Sequence, residues 1–307
     1  MYKTIAQALP LLLAAQIPPA AATAPATSTA QPNVHVMPAI AMHTLPRERH
    51  YRVYLPTDYA HTDKRYPVLY MHDGQNLFDD ATSYVGEWGV DESLNQLAAD
   101  CGLEAIVVGI DHGDQLRMTE LNPYDNARFG KGEGDAYVDF LVQELKPRID
   151  REYRTLPDRE HTLIIGSSMG GLISNHAINR YPEVFGSAGL FSPSYWIAPQ
   201  IFLATEANPA LENTRIYLVA GGKEGESMTR GFVQMQTLLQ QNANADTWRA
   251  KLDAEGEHNE AFWQREFPQA IRWMLNAHCE RQEKRATCGK EMPRGEATAL
   301  PYPESGS

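Results

Sequence analysis

The chain has 307 residues, 43% hydrophobic and 21% charged, which is ordinary globular usage and enough length for one α/β domain with a sizeable core. Its 39 acidic residues outnumber its 27 Lys and Arg, for a formal charge of −12. That balance excludes a nucleic-acid-binding or anionic-membrane surface, since both need clustered cations.

Read from the start, Lys3 and the apolar run holding Leu11-Leu12-Leu13-Ala14-Ala15 precede the small residues Ala20-Ala21-Ala22. This is the pattern of an export signal over residues 1–22, cleaved near Ala22, and it predicts a periplasmic or secreted protein. The run is too short to span a bilayer, so no membrane span is expected once it is removed. Residues 23–44, rich in Ala, Thr and Pro, read as a disordered linker. Strand-like runs follow at His50–Leu55, Tyr66–Met71, Glu104–Ile110, Thr162–Ile165, Ser187–Leu190, Arg215–Ala220 and Thr247–Leu252. After the second they alternate with helical stretches, which predicts a mostly parallel central sheet with helices on both faces, in a domain over residues 45–278. Asp135–Asp150 reads as a helix that Pro147 should bend or end early. Cys101 ends an amphipathic helix and reads as a buried thiol. Cys279 and Cys288 bracket a short polar segment and are expected to pair, within a tail over 279–307 that reads as disordered after 288.

Gly166-Ser167-Ser168-Met169-Gly170 sits between the apolar run Leu163-Ile164-Ile165 and a helical repeat of Leu172, Ile173, Ala177 and Ile178. Strand, G-x-S-x-G turn and helix together form a nucleophile elbow. Ser168 has glycine two residues away on both sides, whereas Ser167 would need it where Ile165 stands. The strand and helix around the turn favour a catalytic serine over a plain glycine turn with a capping serine.

A serine nucleophile needs a base, and the base needs an orienting acid, in the chain order Ser, acid, His. Three histidines follow Ser168. His176 lies two turns along the elbow helix, and His278 falls at the end of the last helix. His258 lies in the polar loop Glu255–Glu260 between a strand and a helix, so it is the expected base. Gly221-Gly222-Lys223-Glu224-Gly225-Glu226 follows the preceding strand. Glu224, nearest the strand end and held by glycines, is the expected acid. Glu226 and Asp253 remain alternatives.

The segments Tyr66–Phe78, Glu87-Trp88-Gly89-Val90-Asp91, Tyr153-Arg154-Thr155, Gly166–Gly171 and Ser192-Pro193-Ser194-Tyr195-Trp196 resemble the putative-esterase family. That group holds enterochelin-type, feruloyl and acetyl-xylan esterases, S-formylglutathione hydrolases and antigen-85-like mycolyltransferases. The resemblance covers about residues 45–276. It implies an α/β-hydrolase fold and a triad of Ser168, Glu224 and His258, with glutamate where many members carry aspartate. It also implies an oxyanion hole from the Met169 backbone N–H and the Gly74–Leu77 loop, with Gln75 and Asn76 as candidates there.

The expected activity is hydrolysis of a small-molecule or saccharide ester. An acyltransferase using the same triad, or a binding protein on the same scaffold, stays open. Trp196, Tyr195, Trp88, Tyr124 and Phe129 are candidates for an aromatic cleft, and Arg117 and Arg128 for recognition of an anionic substrate; the alternatives are core packing and surface charge. No cofactor is expected, because the dinucleotide and P-loop glycine patterns are missing. No metal is expected either, and Asp73, Asn76, Asp79 and Asp80 read as solvated loop residues.

Overall fold

The computed structural model describes residues 27–275. Eight strands form one sheet: β1 Val34–Met42, β2 Arg47–Tyr54, β3 Val68–His72, β4 Ile106–Ile110, β5 Thr162–Ser167, β6 Ser187–Phe191, β7 Arg215–Gly221 and β8 Trp248–Asp253. Their spatial order is β1-β2-β4-β3-β5-β6-β7-β8. The first two pairings, β1 with β2 and β2 with β4, are antiparallel, and all the others are parallel. This is the α/β-hydrolase fold.

Helices cover both faces: α1 Val90–Cys101, α2 Arg117–Glu120, α3 Gly134–Phe140, α4 Lys146–Glu152, α5 Met169–Arg180, α6 Gln200–Glu206, α7 Glu226–Asn242 and α8 Glu260–Met274. The central strands are buried on both sides, so their sequences are near-continuous apolar runs. Side chains still alternate between the two layers. Ile164 joins a core of Tyr70, Leu172 and Phe185, whereas Leu163 and Ile165 join Leu69, Met71 and Phe267 on the other face.

Three sequence expectations are corrected. Residues 34–42 are not a linker but strand β1, whose ladder to β2 is bulged between Met37 and Ile40, around Pro38. The helix through Pro147 does not stop there. A wider π turn at Leu141–Leu145 joins α3 to α4, and the proline sits in the first turn of α4, where its missing N–H costs little. Cys101 is disulfide-bonded rather than a free thiol. Cys279 and Cys288 lie outside the described residues, as do the export signal and most of the expected tail.

Before β1, the segment 28–31 crosses a patch of carboxylates. Ser28 Oγ donates to Asp79 at 2.7 Å, and the Gln31 N–H donates to Asp91 at 2.8 Å. Asp79 is thus buried and hydrogen-bonded rather than solvated.

Candidate active site

Five strands that neighbour one another, β3, β5, β6, β7 and β8, deliver polar residues to the carboxyl edge of the sheet, where ligands bind in open α/β sheets.

After β5 the chain turns through Ser168 at φ 57° and ψ −117°, straight into α5. Only a backbone without crowding permits this. A Cβ on Gly166 would lie 2.6 Å from the carbonyl carbon of Gly170. Ser168 is partly exposed, whereas Ser167 is buried in the strand. The strained conformation is that of a nucleophile elbow.

After β7, Glu224 turns back into the protein, and its side chain is fully buried. Its Oε1 accepts the Gly221 N–H and the Ser192 hydroxyl, both at 2.6 Å. Its Oε2 lies 2.9 Å from His258 Nδ1. The other two acid candidates are occupied elsewhere. Glu226 is exposed at the start of α7 and pairs with Arg230 one turn on. Asp253 pairs with Arg265 at 2.7 Å.

His258 stands in the loop after β8, its ring edge-on to Trp263 with centroids 5.1 Å apart. Among the described residues no hydrogen bond joins it to Ser168. Ser168 Oγ instead lies 3.1 Å from Ser194 Oγ. Catalytic bonds of this kind often tighten only when substrate arrives. His176 is turned away, its Nε2 2.7 Å from Asp135, and His278 is outside the described residues.

The loop after β3 starts at Asp73, held at φ 57°, and continues as one tight turn over Gly74–Asn76. A Cβ on Gly74 would lie 2.6 Å from the Gly109 carbonyl, so glycine lets this turn press onto β4. The Asn76 N–H is spent on the Asp73 carbonyl at 2.8 Å. The N–H groups of Gln75 and Met169 have no acceptor among the described residues.

Asp73 is not a solvated loop residue: it is buried and doubly bonded to Arg117, at 2.6 and 2.8 Å. Burial alone would raise its carboxyl; the guanidinium beside it prevails and holds it below the usual range. Arg117 is therefore not a free cation for substrate. His72, next to it, is pushed down to about 4 by burial, and its Nδ1 meets Tyr137 Oη at 2.8 Å. Glu260 opens α8 beside these groups, its carboxyl raised by burial, with Asn76 Nδ2 3.5 Å away.

Two of the aromatic candidates are corrected. Trp88 is buried among Phe191, Trp263 and Phe267. Tyr195 is buried against Phe202, and its hydroxyl donates to Asn175. Neither offers surface to a ligand. Trp196 is 45% exposed, edge-on to Phe129 at 5.8 Å, and Arg128 lies over the Phe129 ring. Tyr124 is half-buried against His176.

Sequence reasoning gave no role to Ser192, Ser194 or Trp263. Ser192 and Ser194 carry a signal only as part of the Ser192-Pro193-Ser194-Tyr195-Trp196 segment of the family resemblance, and Trp263, in α8, carries none.

One group with metal-ligand spacing exists among the described residues: Glu87, Asp91 and Glu92, whose carboxylate oxygens lie within 4.8 Å of one another. Thr29 and Gln31 donate to all three.

The sheet order, the elbow after β5 and the polar loops along one edge define an α/β-hydrolase. The chain belongs to the Putative esterase family, whose model matches residues 42–274. It is 30% identical over 153 residues to an endo-1,4-beta-xylanase/feruloyl esterase of Xylanibacter ruminicola, covering 48% of this chain and 20% of that one. It is 26% identical over 187 residues to the ferri-bacillibactin esterase BesA of Bacillus subtilis, covering 54% and 62%. Among solved structures, the BES protein from Bacillus cereus superposes with a TM-score of 0.68 at 21% identity, covering 83% of this chain and all of that one. The family places the chain among carboxylic ester hydrolases. No described helix is long and apolar enough to cross a membrane.

Proposed function

We propose that the protein is an exported serine esterase that works through Ser168, His258 and Glu224 and an acyl-enzyme. The observation that carries this is the 2.9 Å contact between the buried Glu224 carboxylate and His258 Nδ1, on loops of adjacent strands beside the elbow. A carboxylate only accepts, so Nδ1 carries the proton and Nε2 is left as a base. Ser168 Oγ attacks the ester carbonyl while Nε2 takes its proton. The carbonyl oxygen becomes an oxyanion, received by the N–H groups of Met169 and Gln75. Each such donor is worth about 3 kcal/mol. The protonated His258 passes its proton to the leaving alkoxide, which departs as the alcohol. Water then attacks the acyl-enzyme by the same relay, releasing the acid and restoring Ser168.

The free N–H of Gln75 supports it over Asn76 as the second donor. The exposed Trp196 ring, two residues beyond Ser194, and the half-buried Phe129 ring it meets edge-on support an aromatic acyl group as the preferred substrate part. Feruloyl saccharides and catecholate lactone siderophores are the two classes to compare. The test is a fluorophosphonate probe with peptide mapping, followed by a panel of p-nitrophenyl acetate, a feruloyl sugar, acetylated xylan and a trilactone siderophore. Label on Ser168, lost in Ser168→Ala together with about 10³-fold of kcat, is expected. Labelling elsewhere, or turnover kept in that variant, overturns the reading.

A further inference from the structure

The strand β6 ends at Phe191, and the next three residues reach both ends of the proposed relay. Ser192 is wholly buried at φ 44°, a conformation non-glycine residues rarely adopt. Its N–H donates to the Val219 carbonyl at 2.6 Å, which ties it to β7. Its hydroxyl lies between two partners, Glu224 Oε1 at 2.6 Å and Trp263 Nε1 at 3.0 Å. The indole N–H can only donate, so Ser192 Oγ accepts it, and the hydroxyl proton goes to the carboxylate. The direction of every proton in this chain is thereby fixed.

Glu224 Oε1 also takes the Gly221 N–H, so this oxygen is held by two donors and Oε2 is left facing His258 Nδ1. Trp263 acts twice. Its N–H holds Ser192, and its ring stands at 85° to the His258 ring. Two residues on, the Ser194 N–H donates to the Ser168 carbonyl at 3.0 Å, and its hydroxyl meets Ser168 Oγ.

We propose that Ser192, held by Trp263, is a positioning residue that fixes the rotamer of Glu224 and through it the orientation of His258. The inference rests on the assignment of Ser168, Glu224 and His258 as the relay. Strain at Ser192 fits this role, since a residue kept at positive φ is over-determined by its surroundings, and such positions cluster at active sites.

The test uses Ser192→Gly. Glycine adopts positive φ freely, so the backbone is relieved while the hydroxyl is lost together with the Cβ that carries it. With p-nitrophenyl acetate, kcat should fall about 10- to 100-fold, short of the roughly 10⁴-fold that loss of a triad acid costs. KM should stay within about twofold, and the melting temperature should not drop. The downfield proton signal of His258 Nδ1–H should shift or broaden. Trp263→Phe, which keeps a ring against His258, should lower kcat in the same direction. The double variant should be no worse than Ser192→Gly alone, because both act on one chain of bonds. A Ser192→Gly enzyme with kcat within threefold and an unmoved Nδ1 proton overturns the proposal. So does a loss that tracks a lowered melting temperature. Ser168→Ala is run beside it. If that variant also keeps turnover, the relay assignment has failed; if it is inactive and Ser192→Gly is normal, only the positioning role has.

Discussion

Gly221 and Gly256 meet so closely that a Cβ on Gly221 would lie 2.3 Å from the Gly256 carbonyl carbon. Around that contact the loops after β7 and β8 are joined by Gly222 N–H to Asp253 O at 2.7 Å and Lys223 N–H to Gly256 O at 3.1 Å. The two loops are thereby tied to each other, and these ties fix the distance between Glu224 and His258. Gly221→Ala should cost about 1–3 kcal/mol by overpacking. It should also lower kcat by around 10², as a displacement of about 1 Å would. Urea unfolding and steady-state kinetics on one preparation measure both; an unchanged kcat would show that the loops do not set the relay.

Glu224 and Glu226 are two residues apart and differ in every environment, one buried against His258 and the other 83% exposed beside Arg230. Glu224→Gln should keep the fold and reduce kcat by about 10²–10⁴, since an amide cannot stabilise the imidazolium. Glu226→Gln should stay within a few-fold of wild type. The reverse ranking in kcat would move the acid to Glu226.

Arg117→Met would leave Asp73 charged in a buried place. Breaking a buried pair by removing one partner costs about 3–5 kcal/mol. Asp73 also begins the turn that carries Gln75, so activity should fall with stability. Adding Asp73→Asn to Arg117→Met should recover much of the loss in a denaturation curve. A double variant no more stable than the single one would mean that the pair is not what matters.

Asp91 carries a pH signature. Burial, with Glu92 beside it and against the Gln31 N–H, raises its carboxyl from 3.8 to about 7. The folded protein then holds a proton that the unfolded chain releases between those values. Stability from this group is present at low pH and falls as pH rises through 7. Glu87 adds to the trend, its carboxyl also raised by burial, and Tyr54 faces the same charge. Asp91→Asn has no proton to lose there. Its melting temperature relative to wild type should climb between pH 4 and 8; parallel curves would refute the assignment.

Export predicts a mature chain that begins at or near Thr23, read by N-terminal sequencing of secreted or periplasmic material from the native host. Uncleaved protein in the cytoplasm would sink it.

Much of this molecule is legible in its sequence because its signals are local. Five of the seven runs read as strands are largely apolar, the other two, His50–Leu55 and Thr247–Leu252, alternate polar and apolar residues, and all seven overlap strands of the sheet. The elbow glycines and the loop positions of Glu224 and His258 follow from chain order. β1 escaped because it is half-exposed, bulged and interrupted by Pro38, so it shows neither a clean alternation nor an apolar run. Trp88 and Tyr195 misled because aromatic residues serve cores and clefts alike, and only packing across the sheet decides which. Asp73 looked solvated because its partner, Arg117, is 44 residues away. Ser192 was silent for a similar reason: its hydroxyl gains meaning only from Glu224 and Trp263, 32 and 71 residues on.

Cutting the chain at residue 45, where the sequence alone starts the catalytic unit, would strip β1 from β2. The intact sheet ends in a strand that a proline and a bulge make a poor template for another chain. The shortened one would end in β2, a straight edge whose Tyr51, Val53 and Tyr54 are otherwise fully covered. Such a fragment should precipitate on expression, and a recombinant form begun just after Ala22 should remain in solution.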